Sequence, residues 1–98
     1  MLNAFTEIGT LITRDSALRG GRPIIAGTGT CVRTIAVANN QGLSPEEIVA
    51  DRPQLSLAQV YAALAYYHAN KLEIDADIAA EELAYEEGAR SSRLPLRP

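Results

Sequence analysis

Two helix starts, twelve residues apart, constrain this chain more than anything else in it. Ser44-Pro45-Glu46-Glu47 sets a serine at an N-cap, a proline at the first helical position and a glutamate three residues after the cap. Ser56-Leu57-Ala58-Gln59 repeats the code with glutamine in the third place. In such a box the hydroxyl accepts from the N–H three residues on, while the Glu or Gln side chain reaches back to the serine N–H. Leu43 with Ile48, and Leu55 with Val60, stand at the positions of a hydrophobic staple around each cap. The pattern predicts a short helix over 44–51 ended by Pro53, a turn at Arg52-Pro53-Gln54, and a longer helix from about Leu57 to Asn70. Val60, Leu64 and Tyr67 share one face of the longer helix, with Ala63 beside them. A short helix, a tight turn and a longer helix are the spacing of a helix-turn-helix unit.

The flanks are read from turn chemistry. Thr10-Leu11-Ile12-Thr13 reads as a first strand closed by Asp15-Ser16, and Arg19-Gly20-Gly21 as a turn. Pro23-Ile24-Ile25 reads as a second strand, where a missing N–H suits a strand start. Gly27-Thr28-Gly29-Thr30 turns the chain again, and Cys31-Val32-Arg33 either adds a strand or enters a helix over 32–40 that Asn39-Asn40-Gln41-Gly42 ends. Beyond Leu72 the composition shifts to Ala and Glu, predicting an amphipathic helix over 73–88 with Ile74, Ile78 and Tyr85 in register. Its apolar stripe is thin, so it needs another surface to pack on. A flexible end is expected over 88–98. The fold expected from the residues is mainly α, with a small N-terminal β element, a helix-turn-helix core over 1–72 and an acidic helix and tail over 73–98.

Charge divides the chain at the same place. The net charge is −3 over 98 residues. Residues 1–72 hold six basic and five acidic groups, whereas 73–98 hold three arginines and seven acids. A weakly basic body with an acidic appendage does not carry the strongly basic footprint of an avid nucleic-acid binder. The 47% hydrophobic content fits one globular domain. A single cysteine forms no internal disulfide, which points to a reducing compartment. No apolar run reaches the roughly 20 residues of a membrane span, and the N-terminus lacks a signal-peptide pattern, so a cytoplasmic protein is expected.

Several constellations carry possible chemistry. A helix-turn-helix binds DNA by laying its second helix in the major groove. On that reading Gln59 pairs with adenine, Ser56 bonds a phosphate, and Arg22, Arg33 and Arg52 hold the backbone. Against it, the same geometry is common packing in small α proteins, and the positions near Ala58 and Ala62 are poor in donors. Gly27-Thr28-Gly29-Thr30 lacks the lysine of a phosphate-binding loop and reads better as a hairpin turn. One histidine, His68, and one cysteine, Cys31, make neither a metal cluster nor a catalytic pair, so no enzyme, metal or cofactor is expected. Glu81-Glu82 and Glu86-Glu87 read as a solvated face. Tyr61, Tyr66 and Tyr67 read as core or interface residues before a base-stacking platform.

Gly21-Arg22-Pro23-Ile24-Ile25-Ala26-Gly27-Thr28, then Gly42-Leu43-Ser44-Pro45-Glu46-Glu47-Ile48, then the run from Pro53 to Tyr67 resemble the domain of unknown function 433 family over roughly residues 10–75. The resemblance implies a homeodomain-like or winged-helix-like fold. It also implies kinship with VapB-type antitoxins, whose genes sit beside PIN-type ribonucleases. On that footing the chain binds operator DNA as a dimer and captures a PIN-type toxin through its C-terminal segment, with Ile74, Ile78, Glu81, Glu82 and Tyr85 as the contact residues. A homodimer is expected because an exposed strand edge needs cover. The alternative is a homodimeric protein-interaction module without DNA binding. Gly29 and Cys31 stand where the family usually has arginine and proline, so a contact made by that arginine is weakened or lost.

Overall fold

A computed structural model describes residues 5–93 of the chain, with side chains through residue 89. Two short strands precede four helices: β1 (Ile12–Arg14), β2 (Pro23–Ile25), α1 (Val32–Asn40), α2 (Pro45–Asp51), α3 (Leu57–Ala69) and α4 (Lys71–Arg93). The protein is mainly helical with a small two-stranded N-terminal sheet, an architecture compatible with a helix-turn-helix core.

Both capping boxes are closed. Ser44 Oγ accepts from the Glu47 N–H at 3.1 Å, and Glu47 Oε1 accepts from the Ser44 N–H at 2.8 Å. Ser56 and Gln59 make the same exchange at 3.1 and 2.7 Å. The staple residues Ile48, Leu55 and Val60 are buried, and Leu43 packs against them. With Ile25, Val32, Ile35, Ala36, Ala63 and Tyr67 they form one apolar cluster between the hairpin and the helices. Cys31 bridges to Ile24 and hands the chain directly into α1.

The first strand starts later than its β-branched residues predict. The N–H and the hydroxyl of Thr10 both donate to the Glu7 carbonyl, at 2.9 and 2.7 Å, and wind Ile8–Leu11 into a 3-10 turn. The strand begins at Ile12, antiparallel to β2 in the register Ile12–Ile25, Thr13–Ile24 and Arg14–Pro23. Arg19, Gly20 and Gly21 all hold positive φ between them. The Gly/Thr turn serves the hairpin: the Thr28 hydroxyl donates to the Ile25 carbonyl at 2.7 Å and accepts from the Thr30 N–H at 3.0 Å.

α3 and α4 have almost nothing between them. Asn70 leaves helical geometry at φ −131° and ψ 41°, its amide donates to the Tyr66 carbonyl at 3.1 Å, and α4 begins at Lys71. The expected division after residue 72 therefore falls inside α4, whose Ile74 joins the core with 2% of its surface exposed. At its other end α4 passes Gly88 and continues to Arg93, where a flexible end is expected from sequence. A single glycine costs a helix about 1 kcal/mol, too little to stop an alanine- and glutamate-rich run with no proline before Pro95. The rest of the expected tail, 94–98, lies outside the described residues.

Candidate functional site

The chemistry of the surface gathers where α4 crosses the hairpin. Glu73, Asp77 and Glu81 recur every fourth residue, so they share one face of the helix. Each meets arginine. Arg14 Nη2 donates to Glu73 at 2.6 Å and to the Tyr66 hydroxyl at 3.1 Å. Arg22 Nε lies 2.9 Å from both oxygens of Asp77, and Arg33 reaches Asp77 at 2.9 Å and Glu81 at 3.0 Å. On the neighbouring side of α4, Asp75 accepts from Lys71 and from the Tyr67 hydroxyl, both at 2.7 Å.

These contacts tune the charged groups. Burial pushes the Asp77 carboxyl up, but the guanidinium groups of Arg22 and Arg33 outweigh it and hold the group below the usual carboxylate range. Lys71 and then Tyr67 hold Asp75 low in the same way. The bond to Glu73, seconded by Tyr66, raises Arg14 above its ordinary value.

A cleft of about 320 Å³ opens among these groups, lined by Arg14, Arg22, Arg33, Glu73, Asp77 and the buried Cys31 with the Gly20-Gly21 backbone. A shallower groove beside it joins Arg33 and Arg52 with Arg19 and Glu81. Arg19 Nε donates to the Gly29 carbonyl at 2.9 Å, and a side chain at Gly29 would begin 3.2 Å from the Arg19 guanidinium. The Gly29 backbone thus lies directly against the Arg19 guanidinium.

The residues expected to touch DNA separate into two groups. Arg22 and Arg33 face α4, with their guanidinium groups on its carboxylates, and Arg52 shares the adjacent groove with Arg33. Ser56 and Gln59 sit at the start of α3, where they cap it. The exposed side of α3 runs through Leu57, Ala58, Tyr61, Ala65, His68 and Ala69, without a lysine or arginine.

The expected partner contacts separate as well. Ile74 is in the core, Ile78 packs against it, and Glu81 holds Arg33. Glu82 is exposed, and Tyr85 is 76% exposed. From Ala79 to Gly88 every residue of α4 is exposed. Sequence reasoning missed the inward pull on Ile74 and Ile78. The 3.6-residue period shows which residues share a stripe, but not whether the chain keeps that stripe for itself. Among the described residues no group of three His, Cys, Asp or Glu is placed to hold a metal ion, and no helix is long and apolar enough to cross a membrane.

The motif order, the hairpin and the paired capped helices are those of a known family. The profile described as "Protein of unknown function (DUF433)" matches residues 12–67, more than half of the chain, and the chain belongs to that family. A solved relative is similar in sequence and shape: the crystal structure of a DUF433 member from Anabaena variabilis ATCC 29413, 31% identical, superposes with a TM-score of 0.67 over 71% of this chain and 69% of that one. None of the curated proteins matches.

Proposed function

We propose that this protein is an antitoxin-like interaction module in which the helix-turn-helix is a scaffold and α4 captures a basic protein partner. The supporting observation is the exposed stretch of α4 from Ala79 to Gly88, which carries Glu81, Glu82, Glu86 and Glu87, and of these four acids only Glu81 is held by an arginine among the described residues. A PIN-type ribonuclease is the partner the family resemblance implies. Operator binding is the weaker half of that resemblance. Two of the proposed phosphate contacts, Arg22 and Arg33, hold carboxylates of α4, and the exposed face of α3 offers no lysine or arginine.

The test is a pull-down of the tagged chain from its own host, with bound proteins identified by mass spectrometry. A nuclease recovered at near-stoichiometric yield, and lost when the chain is cut after Glu81, is the expected result. Equal recovery with the shortened chain would remove α4 from the contact. A gel shift completes the test: a scaffold leaves DNA unretarded at low salt, whereas retardation that falls steeply with salt would restore operator binding.

A further inference from the structure

The face of α4 turned away from the core has a pattern of its own. Leu72, Ala76, Ala79 and Leu83 are spaced four, three and four residues apart, the spacing of a heptad seam. All four are exposed, Leu72 by 90% and Leu83 by 56%, and by helical period they lie opposite Ile74 and Ile78. The seam is about 16 Å long at 1.5 Å per residue, with small residues in the middle where two backbones would approach and a leucine at each end. Glu86 occupies the next seam position and closes it.

The flanks decide what fits there. In heptad order the positions beside the seam are Glu73, Ala80 and Glu87 on one edge and Asp75 and Glu82 on the other. Glu73 and Asp75 already hold Arg14 and Lys71. That leaves Glu82 and Glu87 as the uncompensated acids beside the seam among the described residues, and a parallel second copy of α4 would set these two against each other. Such juxtapositions disfavour a pairing, whereas cationic flanks on the incoming helix would favour it. We infer that the Leu72–Leu83 seam is the docking site for an amphipathic helix of the basic partner, with apolar residues in the seam and Lys or Arg on its flanks. This rests on the reading of α4 as the capture element and adds the form in which the partner is held.

Leu72→Glu/Leu83→Glu in the full chain separates the two ideas, because it adds acidic charge while removing the apolar seam. Its binding is read by fluorescence anisotropy at 0.15 M salt with two labelled synthetic peptides of equal positive charge. One is a 21-residue helix with Leu along its seam and Lys on both flanks, and the other a Lys-Pro repeat that cannot form a helix. The expected result is that the helical peptide binds the native chain at least tenfold more tightly than the Lys-Pro peptide, and that the double variant loses at least tenfold for the helical peptide. Circular dichroism should show the variant folded, since both leucines are exposed. Unchanged or tighter binding of the helical peptide to the variant would overturn the seam and leave capture by charge alone. Failure of both peptides to bind the native chain would overturn the seam and the capture reading together. A dimer of the native chain that becomes a monomer in the double variant, read by light scattering, would overturn the proposal by giving the seam to a second copy.

Discussion

α3 and α4 are neighbours joined through one residue, yet they are held by different physics. α3 carries no acidic residue and a single titratable base, His68. Its place is fixed by a closed cap and by Val60, Ala62, Ala63 and Tyr67, all buried. α4 puts the buried Ile74 and the half-buried Ile78 against the core and is otherwise pinned by its carboxylates on Arg14, Arg22 and Arg33 and by Asp75 on the Tyr67 hydroxyl. Apolar contacts respond little to salt and pH, whereas partly exposed ion pairs respond to both. One molecule thus combines a helix that moves only when the whole domain unfolds with one whose attachment depends on the solution around it.

The comparison breaks hardest at the core. Replacing Ile35, fully buried, by alanine should cost roughly 2–5 kcal/mol by chemical denaturation. It should loosen α3 and α4 together; selective loss of either would contradict a shared core. Asp77→Asn separates the two helices instead. It removes the carboxylate that holds Arg22 and Arg33, and should cost roughly 1.5–3 kcal/mol, the range of a hydrogen bond to a charged group. Hydrogen exchange should then rise along α4 while α3 amides stay protected. Equal loss in both would show that α4 is held by Ile74 rather than by charge.

Acid should do by titration what that substitution does by mutation. Asp75 and Asp77 are held below their ordinary values in the folded chain. The stability they contribute is therefore fully present above the unfolded carboxylate pKa of about 3.9 and is lost as the pH falls through the lower folded values. NMR of α4 and α3 amides between pH 5 and pH 2 should show α4 released first, and simultaneous loss would remove the distinction. The smallest effect belongs to a cap: Ser56→Ala should cost about 1 kcal/mol, read as a lower denaturation midpoint with α4 exchange unchanged.

The same contrast governs what was legible in the sequence. α2 and α3 could be read because their starts are written locally, in two serines and their partners three residues on. α1 was legible in its bounds, since Asn39-Asn40-Gln41-Gly42 ends it and Cys31 precedes it. β1 was displaced because Thr10 spends its hydroxyl on the chain behind it, a choice that strand propensity does not encode. The fate of Arg22 and Arg33 was not legible, because it depends on contacts 44 or more residues distant. The stripe Ile74–Ile78 was visible, but its occupant was not: the chain itself fills the place assigned to a partner. Its counterpart at Leu72, Ala76, Ala79 and Leu83 was there to be counted by heptad spacing.

Cys31 closes the first end of α1 beneath this charged crossing, with 6% of its surface exposed and Asp77 and Ile74 on the same cleft wall. A free thiol in that position is a built-in clock. An alkylating reagent reaches the sulfur only when the crossing parts or the domain unfolds, so its rate of modification counts those openings directly. No dye, tag or engineered residue is needed, and a bound partner that clamps the crossing would slow the clock.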